Sequence, residues 1–136
     1  MHEVFHNLAE VSPKIETKEH AYEFLNDERR KLQIESPIQL QISSTPYIGN
    51  SFYGVCGVND YGSIIVVSQK GLNRIALKHE IYHVKQGRHG KLGNTLEESI
   101  AAIEKQDRSI PFLIKLRAFY AFEWQADLYA LTGLKM

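Results

Sequence analysis

Between Lys18 and Leu32, apolar side chains recur at helical spacing (Ala21, Tyr22, Leu25, Leu32), and Thr17 stands where an N-cap belongs. Three shorter runs follow, "IQLQI" (38–42), "FYGVCGV" (52–58) and "SIIVV" (63–67), each bounded by turn residues and rich in branched or aromatic side chains. They predict strands, with "NDYG" (59–62) as the turn between the second and third. Helical spacing then resumes. Asn73 is placed to cap a helix from Arg74 to about Gln86, and Gly87 to end it. The glycine-rich "GRHGKLGN" (87–94) predicts a loop, and "TLEE" (95–98) a capping box opening a short helix to about Lys105. Ser109-Ile110-Pro111 opens a last, long helix reaching about Leu131. A helix, a small sheet and then helices predict one α+β domain over residues 1–136.

Composition narrows the class. Sixteen basic and sixteen acidic side chains cancel, so no global field recruits nucleic acid or an anionic membrane. Lys70, Arg74, Lys78, Lys85, Arg88 and Lys91 form a local basic run, read as a solvated helix face with no nucleic acid expected. The most apolar stretch, "IPFLIKLRAFYAF" (110–122), is too short for a bilayer and carries Lys115 and Arg117, so no membrane partner is expected. Cys56 is the lone cysteine, which excludes an internal disulfide and predicts a buried thiol. With no signal-peptide pattern at the start, the expected location is cytoplasmic.

Chemistry enters with "HEIYH" (79–83). Residues four apart share a helix face, so His79 and His83 can converge on one ion, while Glu80 sits about a quarter-turn around, beside that ion. The pattern His-Glu-x-x-His holds zinc with the glutamate as general base. The surrounding helix has the build this requires: Leu77, Ile81 and Val84 form an apolar stripe, and Arg74, Lys78 and Lys85 a wet face. A second copy, "HEVFH" (2–6), begins one residue into the chain, where ends fray. His2, Glu3 and His6 are therefore read as a coincidence of a short pattern.

Two histidines do not complete a catalytic zinc site, which takes three protein ligands and an open position. One candidate for the third is His89, ten residues after His79; Gln86, however, occupies the position where the metzincin pattern has glycine. The other lies in "FEWQAD" (122–127), where Glu123 and Asp127 share a face of an otherwise apolar helix. Burying two carboxylates there is costly unless a cation and hydrogen bonds compensate. An ion for Glu123 and a ligand histidine's ring N–H for Asp127 would supply both. The plainer reading turns both carboxylates to solvent or pairs them with Lys115 or Arg117.

"HEIYH" followed forty residues on by Glu123-x-x-Ala126-Asp127 resembles the gluzincin pattern, most closely that of the minigluzincins and the core of CAAX-prenyl-protease-like peptidases. "GSIIVVSQKGLNRIALKHEIYHVKQG" (62–87), a strand passing through Gly-Leu into the histidine helix, adds to the likeness, which covers about residues 50–131. Phage-repressor-cleaving proteases share the pentad but usually follow the glutamate with Ala-Asn. Tyr82 departs from the pattern, which has a small residue there.

The resemblance implies a zincin-like fold and a zinc-dependent endopeptidase. One Zn2+ would be held by His79, His83 and Glu123, with Glu80 as general base and Asp127 orienting a ligand histidine, His79 by position. Tyr61, Tyr120 and His89 are the candidate oxyanion stabilisers. The expected partner is a peptide or protein bound along an edge strand, with the run 63–67 offering that edge. Only nine residues follow Asp127, so residues 1–16 are the expected inhibitory segment of a latent enzyme. The alternative is a zincin-fold peptide-binding or regulatory module without catalysis.

Overall fold

The computed structural model of the chain describes residues 8, 12–49, 52–87, 90–109 and 124–133. Along the chain they form α1 (Lys18–Lys31), β1 (Gln39–Ile42), β2 (Gly54–Asn59), β3 (Gly62–Val67), α2 (Arg74–Gln86), β4 (Gly90–Lys91), α3 (Leu96–Ser109) and α4 (Trp124–Thr132). The fold is α+β, with a mixed four-stranded sheet in the order β1-β3-β2-β4.

β2 and β3 form the expected hairpin, with Asn59 opposite Gly62 and Asp60-Tyr61 at the turn. The Tyr61 N–H is held by Asn59 Oδ1 at 2.9 Å. β1 returns parallel to β3, pairing Leu40 with Ile65 and Ile42 with Val67. This overturns the expectation that 63–67 offers a free edge, because β3 is paired on both sides. Ile64, Ile65, Val66 and Val67 are all fully buried, as an unbroken apolar run requires of a strand covered on both faces. Leu40, Cys56, Ile65 and Val67 face α1, α2 and α4, while Ile64 and Val66 meet Leu92 and Ile103 on the α3 side.

The segment 87–94 also differs from the predicted loop, since Gly90 and Lys91 run parallel to Gly57 and Val58. Contact this close requires glycine at 57, where a Cβ would come within 2.5 Å of the Gly90 carbonyl oxygen. The α3 cap is a variant of the expected box. Thr95 Oγ1 accepts from the Glu98 N–H, but Glu98 Oε2 reaches the Asn94 N–H one residue beyond the cap. The helix also continues past Lys105 to Ser109. Of the predicted last helix, residues 110–123 lie outside the described residues, and α4 covers the remainder. No helix among the described residues is long and apolar enough to cross a membrane.

Candidate metal centre

The loop from β3 into α2 is tightly tied. Ser68 donates to the Tyr53 carbonyl through both its N–H (2.9 Å) and its hydroxyl (3.0 Å). Gly71 passes so near that a Cβ there would lie 2.0 Å from the same oxygen, which excludes any larger residue. Asn73 then caps α2: its Oδ1 accepts from the Ala76 N–H at 2.8 Å while its Nδ2 donates to the Lys70 carbonyl. At the far end Gly87 turns left-handed, at φ 73°, and its N–H closes on the His83 and Val84 carbonyls. Lys14 and Ile15 brace the entry, with Ile15 N–H bonded to the Leu72 carbonyl. A helix capped at both ends and packed through Leu77, Ile81 and Val84 holds its side chains rigidly.

That helix brings His79, Glu80 and His83 together. Each offers one ligand atom within 4.8 Å of the other two, and no other such group occurs among the described residues. All three are buried, at 5%, 6% and 7% exposure. The two histidine Nε2 atoms are 3.2 Å apart. Two nitrogens bound at about 2.05 Å to one tetrahedral zinc would be about 3.3 Å apart, so the rings already stand at a metal chord. Their planes are nearly perpendicular, at 87°. Glu80 Oε1 lies 3.9 Å from His79 Nε2, beside the point on which the rings converge.

No protein-family model matches the chain, and no curated protein or solved structure matches it either. The reading of the site therefore rests on its own geometry.

His83 Nδ1 is 2.7 Å from Gln86 Oε1. An amide oxygen accepts, so this contact puts the ring proton on Nδ1 and leaves the lone pair on Nε2, the tautomer a metal ligand needs. Sequence reasoning missed Gln86 in this role, weighing it only as a failed glycine. Its position three residues after His83 on the same helix was the available signal.

A second missed residue is Gly54. A Cβ there would lie 3.2 Å from Glu80 Cγ, 3.1 Å from the Val66 carbonyl and 3.3 Å from Val67 Cγ1, so the bare backbone of β2 makes room for the glutamate. Tyr61, offered as an oxyanion stabiliser, is not brought to this group. It is 80% exposed in the β2–β3 turn, and Gly54 and Asn59 are separated by the length of β2, about 17 Å. Tyr120, His89 and Glu123 lie outside the described residues, as do His2, Glu3 and His6. Asp127 belongs to α4, though its side chain is likewise outside them. Tyr82, the bulky departure inside the pentad, is buried and stacks on Tyr129 of α4 with ring centroids 5.0 Å apart.

Proposed function

We propose that this protein is a zinc-dependent endopeptidase of the gluzincin type with a zincin-like fold. The observation that carries the reading is the 3.2 Å approach of the two Nε2 atoms with a buried carboxylate alongside. A divalent cation between the two Nε2 atoms would further offset the cost of burying two imidazoles and a carboxylate together. His79 and His83 are two of its ligands. Glu123, which directly precedes α4, is the proposed third, and Asp127 the proposed orienter of His79.

Zn2+ held there supplies Lewis acidity, lowering the pKa of a water to about 7 and polarising a peptide carbonyl. Glu80 then has the proton work. It takes a proton from the attacking water and returns it to the departing amine, so atoms and charge balance over one turnover. Gly54 leaves this carboxylate room to move between the two positions. A peptide pairing by strand addition needs an edge strand, and in the order β1-β3-β2-β4 the edges are β1 and β4, so β3 is not the docking strand.

Glu80→Gln tests the assignment. It keeps the size and hydrogen-bonding of the side chain but removes the base. Cleavage of a casein or peptide-library substrate should fall by at least about a hundredfold with one Zn2+ retained. Cleavage at the wild-type rate would refute the mechanism.

A further inference from the structure

The site needs more than correct ligands. If α2 supplies the histidines and the α4 chain the carboxylates, the rotation of one helix relative to the other sets the ligand geometry. A carboxylate stands roughly 6 Å from its helix axis, so a rotation of about 10° moves it about 1 Å. Metal–ligand distances tolerate only about 0.2 Å. At the α2–α4 contact Ala126 and Ala130 are both buried, and neither side chain is large enough to interlock with α2 as an aromatic ring does.

Glu28 of α1 provides a different kind of constraint. It is 2% exposed, which is unusual for a carboxylate, and it accepts a 2.6 Å hydrogen bond from the Tyr129 hydroxyl 101 residues away. Its other oxygen meets Lys31 Nζ at 3.3 Å. Bonds of this length to a charged acceptor are strong and directional. The ring of Tyr129 also lies over Tyr82, with the ring planes 19° apart. Tyr129 is thus gripped between α1 and the interior of the HEIYH pentad. Position 127 lies about 160° around α4 from it, with positions 126 and 130 on the arc between. Turning α4 would break the bond and the stack together, and would swing position 127 in the same sense.

We infer that Tyr129 is a positioning residue, locked by Glu28 and Tyr82, that sets the rotational register of α4 on α2 and thereby the affinity of the metal centre. This also accounts for Tyr82, whose ring serves the lock. The inference rests on the zinc reading above and deepens it.

The test is Zn2+ affinity, measured by competition with a chromophoric chelator on folded protein well below its melting temperature. Tyr129→Phe and Glu28→Ala should each weaken Zn2+ binding by roughly tenfold or more, the scale on which outer partners tune metal sites. The double variant should do little worse than either single one, since both break the same bond. Glu28→Gln, which still offers an amide oxygen to Tyr129, should bind within about threefold of wild type. Should Tyr129→Phe fail to fold, Glu28→Ala reads the same quantity without altering α4. Wild-type affinity in whichever of these two variants folds would overturn the inference while leaving the metal site standing. A wild-type protein that takes up no Zn2+ would overturn both.

Discussion

Gly54 of β2 faces Glu80 of α2 so closely that a Cβ at position 54 would stand 3.2 Å from the glutamate's Cγ. The strand thereby leaves the proposed general base its freedom, and the smallest possible substitution should remove it. Gly54→Ala is expected to lower kcat/KM by at least about tenfold while Zn2+ stoichiometry stays at one per chain, because neither histidine is touched. Peptide hydrolysis and metal analysis on the same preparation would check this; unchanged turnover would mean that Glu80 does not need the space.

The His83–Gln86 contact makes a separate prediction. Removing the acceptor in Gln86→Leu frees the His83 ring to adopt the other tautomer and to rotate, and Zn2+ affinity should drop roughly ten- to a hundredfold. Gln86→Glu, which keeps an acceptor and adds charge, should bind at least as tightly as wild type. Chelator competition measures both.

Tyr129 has a signature at high pH. Burial, followed by its hydrogen bond to Glu28, that carboxylate's negative charge and the neighbouring Tyr82, pushes its hydroxyl well above the ordinary tyrosine value. The folded state therefore holds this proton more tightly than the unfolded chain does. The resulting stability is fully present below about pH 10 and is lost as the pH climbs further. Facing groups are Glu28 from α1 and Tyr82 from α2, with Lys31 on the far oxygen of Glu28. Urea midpoints should fall more steeply above pH 10 in wild type than in Tyr129→Phe. Parallel curves would show that this proton does not report on folding.

Local signals were legible and distant pairings were not. Thr17, Asn73 and Gly87 announced the ends of α1 and α2, because a cap is a contact within one turn. The convergence of His79 and His83 followed from helical period alone. Glu28, three residues after Leu25 and four before Leu32, falls by helical period on the apolar face of α1, but its partner there is not local. It accepts from the Tyr129 hydroxyl, and no local rule couples positions 101 apart. The parallel return of β1 onto β3 and the two-residue β4 are likewise long-range pairings, which periodicity cannot assign. Gly54 and Gln86 look ordinary until Glu80 and His83 are seen beside them.

The central claim is that one divalent ion is held between α2 and the chain leading into α4. Native mass spectrometry of chelator-stripped protein, re-supplied with Zn2+, tests it most directly when wild type is compared with His83→Ala and Glu123→Ala. The account predicts one ion per wild-type chain and loss of that ion, or at least about a hundredfold weaker retention, in both variants. A wild-type chain that stays metal-free, or a Glu123→Ala protein that holds zinc as firmly as wild type, would contradict it.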